Sequence, residues 1–288
     1  MNDSSSEPLS PPGLPPDIAP EPASELPPAP TREVRADLRT PWDALDLVIF
    51  LTFAGGVLVL LTNVLAVLVV TFRGVDPRHI ESYAATNAPF IVIRQVFWFA
   101  TLLLFLYAVV RRRTDQPVWR TLGWRKLDAP ALNPLAAGAL FLVCGATLAI
   151  IIQVLSRFVA TDVKVPIEAL FTDRRNALWM MGFGILVAPL AEETVFRGYI
   201  YPVIARRLGV AAGVVLTGMF FGMVHALQLW GAWGQIGLLM LVGMIFTGIR
   251  AWTGSVVSSY LLHLGYNSLL FAGFFFATGG LRHIPGGH

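Results

Sequence analysis

Residues 179–198 read WMMGFGILVAPLAEETVFRG. The first twelve of these residues form an uninterrupted apolar run, and Glu192, Glu193 and Arg197 follow it directly. An apolar run of this kind is typical of a membrane-spanning helix, in which each ionisable side chain costs at least ~2.5 kcal/mol. The stretch therefore predicts a helix in a lipid bilayer that carries ionisable side chains for a functional reason.

The rest of the composition agrees with a membrane protein. Of the 288 residues, 55% are hydrophobic and 14% are charged, whereas about a quarter of the residues in soluble domains are charged. Apolar runs of about 20 residues, enough to cross the hydrocarbon as helices, lie at roughly 44–72, 90–110, 133–156, 177–200, 210–229, 234–250 and 255–279. We expect an all-α, polytopic, integral membrane helix bundle of about seven transmembrane helices, with six to eight compatible with the pattern.

The composition also divides the chain. Residues 1–40 include ten prolines within the first thirty positions, which predicts a disordered, Pro-rich, cytoplasmic tail. Residues 41–176 hold the first transmembrane helices, and residues 177–279 hold the helices that carry the intramembrane polar groups. A short polar tail, 280–288, ends the chain.

The basic residues indicate an orientation. With the N-terminus in the cytoplasm, twelve Lys and Arg residues lie on the cytoplasmic side and seven on the other, which favours this arrangement. We expect a plasma membrane location. Because the basic residues lie beside apolar segments, orientation explains the pI near 9.3 without a nucleic-acid partner. The single cysteine, Cys144, excludes an intramolecular disulfide and a cysteine metal cluster.

Helical spacing separates the three ionisable residues of the opening stretch. Glu193 and Arg197 are four residues apart and lie on one helix face, where their charges can neutralise each other. Glu192 is rotated by about 100° from Glu193 and lacks that partner. Glu193 and Arg197 therefore read as a structural pair, and Glu192 is left as a candidate general base. The alternative for Glu192 is a structural carboxylate at a membrane interface.

Two further apolar helices carry polar side chains at the same four-residue spacing. Phe221 precedes His225 on one helix, and His263 precedes Asn267 on another. Each polar group alone could serve as an interhelical hydrogen bond. Their concentration in one half of the chain favours a shared site.

Together, EETVFRG, FGMVH and HLGYN resemble the three motifs of the CAAX-protease and bacteriocin-processing (CPBP, Abi) family of intramembrane proteases, which includes type II CAAX prenyl endopeptidases. The resemblance covers roughly residues 177–270. It implies that Glu192 and His225 activate a water molecule that attacks the scissile carbonyl. It further implies that His263 and Asn267 hold the developing oxyanion. Glu193, Arg197 and Phe221 would support the site.

A zinc-dependent version of the same chemistry is the alternative within this family. Glu192, His225 and His263 form a His₂Glu donor set of the kind that holds catalytic zinc. The chain lacks HExxH, whose two histidines share one helix face, so no local motif demands zinc. We favour the metal-free mechanism, with no cofactor.

The expected partners are a peptide or protein substrate, lipidated or membrane-associated among the options, and the bilayer itself. A proton-coupled transporter and a membrane scaffold are the competing classes, although the internal repeat of many transporters is missing. The depths of Glu192 and His225 match if the Glu192 helix continues to about residue 207. Pro202 would kink that extension.

Overall fold

The structure is a computed structural model that describes residues 35–127, 133–159, 163, 165–171 and 173–284. Within these ranges it is all-helical and contains no strand. We number its seven long apolar helices in chain order. They are α1 (Ala44–Arg73), α2 (Ala88–Arg113), α3 (Pro134–Ser156), α4 (Arg174–Leu208), α5 (Val210–Val224), α6 (Trp233–Thr253) and α7 (Val256–Ala277).

Each apolar run of the sequence corresponds to one of these helices, which confirms the all-α membrane bundle. Six of the helices are long and apolar enough to cross a bilayer, and α5 is the exception. Its 15 residues extend about 22 Å at 1.5 Å per residue. The helix was expected to continue to residue 229, but it ends at Val224 and the chain turns through residues 225–231. The chain is an integral, multi-pass membrane protein.

Helix α4 is long because it continues through the polar stretch. It spans 35 residues, so the expected continuation to about residue 207 is confirmed. Glu192 lies about 24 Å from the end of α4 at Leu208, and His225 follows the 15-residue α5 that returns from that end. The two side chains therefore lie at similar distances from that end and come within 3.9 Å of each other.

Glycines allow close backbone packing in the second half of the chain. A Cβ at Gly218 or Gly222 of α5 would overlap the backbone of α6 at Met244 or Met240. Gly145 of α3 and Gly265 of α7 likewise face the backbone of the opposite helix. Since lipid gives helices no hydrophobic reason to associate, such small residues and the contacts they permit hold the bundle together. Gly182 and Gly248, by contrast, have open space beside them.

The segment before α1 packs on the ends of α4 and α6. Leu38 is buried, and Asp37 forms an ion pair with the buried Arg250 at 2.9 Å. The indole of Trp42 stacks on Tyr199 and donates to its backbone oxygen at 3.1 Å. Residues 35–40, assigned to the tail from composition, are thus packed. The expected disorder of residues 1–34 lies outside the described residues, as do residues 285–288 of the polar C-terminal tail.

Candidate active site

The candidate site is built on α4, which is not a uniform α-helix. Wider π-helical segments occupy Phe183–Val187 and Thr194–Ile200, and an α-helical segment, Ala188–Glu193, separates them. A proline follows each wide segment, Pro189 after the first and Pro202 after the second. Proline lacks an N–H and its ring collides with the carbonyl four residues back. Widening of the preceding turn relieves that collision, and such turns are frequent at functional sites.

Arg197 is held in a completely buried position. Its Nη1 donates to Glu193 Oε1 at 2.9 Å, and both side chains have no exposed surface. The other donors reach helix α6, where Nε meets Thr247 Oγ1 at 3.2 Å and Nη2 meets the Gly243 carbonyl at 3.0 Å. The guanidinium carbon also lies 4.5 Å from the centre of the Phe221 ring. This is the charge pair that the four-residue spacing predicts, with additional partners from α5 and α6.

Glu193 has a second partner that helical spacing within α4 could not reveal. Its Oε1 lies 3.0 Å from Nδ1 of His263 on α7. The His263 ring is 4% exposed and packs 4.7 Å from the Phe246 ring, measured between ring centres. A carboxylate on Nδ1 places the proton on that nitrogen, which fixes the ring and directs Nε2 toward the opposite side. Glu193 is therefore shared between Arg197 and His263.

Glu192 lies between the two histidines. Its Oε1 is 3.9 Å from His225 Nε2, and its Oε2 is 3.8 Å from His263 Nε2. Both separations exceed the length of a direct hydrogen bond. The side chains of Glu192 and His225 are 14% and 19% exposed, so this part of the site is accessible while Glu193 and Arg197 are sealed.

His225 is oriented by its own helix end. Helix α5 stops at Val224, and the His225 Nδ1 lies 2.7 Å from the backbone oxygen of Phe221. Since a carbonyl only accepts, Nδ1 carries the proton and Nε2 presents a lone pair toward Glu192. Phe221 thus contributes its carbonyl to His225 and its ring to Arg197. Phe221 was expected to support the site, and these are the two contacts through which it can do so.

Asn267 has a partner on α4. Its Nδ2 donates to the Gly184 carbonyl at 2.8 Å. In the first π-helical segment, Ala188 N–H bonds to Phe183 oxygen, five residues back. The next such bond would join residue 189 to the Gly184 oxygen, but Pro189 has no N–H. Asn267 thus supplies the missing donor, which is how neighbouring helices compensate for proline in a membrane. This contact is the interhelical hydrogen bond that the sequence left open for Asn267, and it uses one of its two N–H groups.

Helix α6 supplies site residues that the sequence reasoning missed. Gly243 and Thr247 hold Arg197, and Phe246 packs on His263. No charged residue lies in that part of α6, so the intramembrane polar pattern did not point to it. A weak signal was present, because a hydroxyl four residues after a glycine in an apolar run faces the same side as that glycine.

Glu192, His225 and His263, the donor set of the alternative zinc mechanism, lie further apart than the ligands of a zinc site. Within the described ranges, no three His, Cys, Asp or Glu side chains are arranged to hold a metal ion. With metal–ligand bonds of 2.0–2.1 Å, neighbouring ligands around tetrahedral zinc lie about 3.4 Å apart. The Glu192 oxygens are 3.8 and 3.9 Å from the histidine nitrogens, so zinc would require the three groups to close in.

Comparison with known proteins agrees with the motifs. Residues 174–269 match the family model described as Rce1-like, type II CAAX prenyl endopeptidase Rce1-like. The match covers α4 to most of α7 and contains all three motifs, which confirms the resemblance seen in the sequence. Neither the curated proteins nor the solved structures gave a match to the chain.

Proposed function

We propose that this chain, whose residues 174–269 match the Rce1-like type II CAAX prenyl endopeptidase model, is an intramembrane endopeptidase with Glu192 at its catalytic centre. The family implies peptide-bond hydrolysis in the membrane in general. The choice of Glu192 as the catalytic carboxylate rests on one observation. Of the two adjacent carboxylates, Glu193 is committed to Arg197 and His263, whereas Glu192 faces two histidine nitrogens with no direct hydrogen bond.

The gap between Glu192 and His225 suits a water nucleophile. Two acceptors 3.9 Å apart can share one water that lies about 2.8 Å from each of them. In the proposed step, the water donates one hydrogen to the Glu192 carboxylate and the other to His225 Nε2. Its oxygen attacks the scissile carbonyl as Glu192 takes a proton, and that proton then passes to the leaving amine as the C–N bond breaks.

The oxyanion would be held by His263 and Asn267. Glu193 on Nδ1 fixes the His263 ring so that Nε2 is directed into the site, and a proton on Nε2 would make it the donor to the oxyanion. The second N–H of Asn267 is the other proposed donor. Donors fixed in place before the reaction stabilise developing charge most effectively where water is scarce. The burial of His263 supports this role.

The substrate is proposed as a peptide or protein segment that enters from the bilayer, with lipidated tails included. The twelve-to-seven distribution of basic residues supports a cytoplasmic N-terminus, and a plasma membrane location is part of the same proposal. Zinc is the second mechanism, with Glu192, His225 and His263 as its ligands. Water activation without a metal is the mechanism proposed first, because the 3.9 Å gap between Glu192 and His225 suits one water molecule.

The decisive experiment is cleavage of a peptide library by the purified full-length protein in detergent micelles. Glu192→Gln and His225→Ala should each lower the cleavage rate by at least about 100-fold, the scale expected for general acid–base catalysis. Glu81→Gln, an exposed carboxylate outside the site, is the matched control and should cleave normally. Cleavage that survives Glu192→Gln refutes the assignment. Loss of cleavage on chelation, with recovery on added zinc, would replace the metal-free mechanism.

A further inference from the structure

Two cavities adjoin each other at the membrane end where α1 stops and where α2 and α4 begin. One has a volume of about 660 Å³ and lies against α2 and the first part of α4, and the other, of about 530 Å³, lies beside the loop after α1. Arg175 lines both cavities. Glu192 lines neither of them, so this region is separate from the candidate active site. The two cavities differ sharply in chemistry.

The larger cavity is apolar along its length. Its walls are aliphatic and aromatic side chains of two helices, and its only charged members, Arg174 and Arg175, lie at the start of α4. The apolar walls are formed by Val92, Val96, Leu178, Trp179, Phe183, Leu186 and Val187. Leu186 and Trp179 are 66% and 42% exposed, so the cavity opens outward from the bundle. In a bilayer that direction is hydrocarbon, and an acyl chain is the group that fills such a groove.

The smaller cavity is polar and basic. Its lining includes the guanidinium groups of Arg73 and Arg175 with the polar side chains Tyr83, Asn87 and Asn176. The one carboxylate in the lining, Asp173, is already engaged, because it accepts the backbone N–H of Asn176 at the start of α4. Among the residues that the structure describes, neither Arg73 nor Arg175 has an ion-pair partner. With two guanidinium groups and one carboxylate in its lining, the cavity has a net positive charge, and neither arginine is paired with that carboxylate.

We infer that the paired cavities form a binding site for an anionic phospholipid, with its phosphate between Arg73 and Arg175 and an acyl chain along the apolar groove. The arrangement of the two cavities matches that of the ligand. A phospholipid has a charged headgroup attached to apolar chains, and here a polar cavity adjoins an apolar one. The position matches as well. The arginines lie at helix ends, where headgroups are found, and the groove extends from there into the spanning part of α4. Basic pockets between transmembrane helices on the cytoplasmic or matrix side bind anionic headgroups, and the same charge and geometry would serve the opposite leaflet, where the proposed orientation places these arginines.

Trp179 provides a direct readout of lipid in the groove. The full-length protein is placed in phosphatidylcholine nanodiscs that contain increasing fractions of phosphatidylglycerol brominated on its acyl chain. Bromine quenches tryptophan emission on contact, and subtraction of the Trp179→Phe signal isolates this residue from the other seven tryptophans. We expect brominated phosphatidylglycerol to quench Trp179 at a fraction at least about tenfold lower than brominated phosphatidylcholine does.

Two double variants separate a built site from diffuse attraction. R73Q/R175Q removes both arginines of the polar cavity and should abolish the preference for phosphatidylglycerol. R78Q/R157Q removes two exposed arginines from the same membrane end but outside both cavities, and should retain the preference. Equal quenching by the two brominated lipids, or an equal loss of preference in both double variants, overturns the inference.

A final arm distinguishes a lipid from a free phosphate. Soluble glycerol phosphate lacks the acyl chain and should not restore Trp179 emission at concentrations comparable with the lipid. Full recovery with glycerol phosphate would mean that the headgroup alone occupies the cavity, which contradicts the role assigned to the groove. The measurement does not depend on peptide cleavage, so it stands or falls separately from the proposed protease activity.

Discussion

Glu193→Gln removes the one negative charge in direct contact with the buried Arg197. The guanidinium keeps its bonds to Thr247 and Gly243, and the glutamine carbonyl can still accept a hydrogen bond, but the positive charge loses its counter-charge where neither side chain reaches solvent. Removal of one partner from a buried ion pair costs about 3–5 kcal/mol. Since three of the contacts of Arg197 persist in some form, we expect a loss of about 3 kcal/mol.

The neighbouring substitution Glu192→Gln should behave differently. Glu192 makes no hydrogen bond or ion pair shorter than 3.8 Å among the described residues, so its neutralisation leaves no buried charge uncompensated. We expect a change below about 1 kcal/mol, well under the cost of breaking a buried ion pair. The two adjacent glutamates therefore have different predicted effects on stability: Glu193→Gln destabilises the fold and also weakens the support of His263, whereas Glu192→Gln affects catalysis without a large loss of stability.

Equilibrium unfolding measures the difference without a known substrate. The purified full-length protein is titrated with sodium dodecyl sulfate in mixed micelles, and unfolding is followed by far-ultraviolet circular dichroism. Glu81→Gln, exposed and distant from the site, gives the baseline for loss of a carboxylate. Equal unfolding midpoints for Glu193→Gln and Glu192→Gln would refute the division of roles between the two residues.

Two further predictions concern the helices that surround α4. Gly265→Ala should destabilise the bundle, because the added methyl group overlaps the Leu142 carbonyl of α3, whereas Gly273→Ala on the same helix meets open space and should be neutral or stabilising by up to about 1 kcal/mol; equal unfolding midpoints for the two variants would contradict the packing. Thr247→Val keeps the shape of the side chain but removes the acceptor for Arg197 Nε, and should cost about 1–3 kcal/mol in the same titration; an unchanged midpoint would show that this contact contributes nothing.

The sequence allowed the helices and one internal charge pair to be predicted because both depend on local periodicity. Apolar runs locate helices, and the four-residue spacing brings Glu193 to Arg197 within a single helix. The residue at which α5 ends could not be predicted from the apolar pattern. The apolar run continues to residue 229, but the helix stops before His225, whose side chain binds the Phe221 carbonyl of the last turn.

Contacts between helices were beyond the reach of local spacing. The bond between Glu193 and His263 joins residues 70 positions apart, and the contribution of Thr247 depends on how α6 packs against α4. The motifs indicated that α4, α5 and α7 share a site. They could not indicate which glutamate each histidine contacts, because that depends on the rotation of α4 about its axis.

That rotation has a consequence for anyone who would align or redesign α4. A wide turn accommodates about one extra residue, and each extra residue advances the helical phase by about 100°. A helical wheel drawn from Arg174 with a constant repeat would therefore misplace Glu192 by about 100° once the first wide turn is passed. Replacement of Pro189 by alanine removes the ring collision and restores the N–H, so a regular repeat becomes available to the helix. The glutamates would then turn away from His225 and His263, although every motif residue would remain in place.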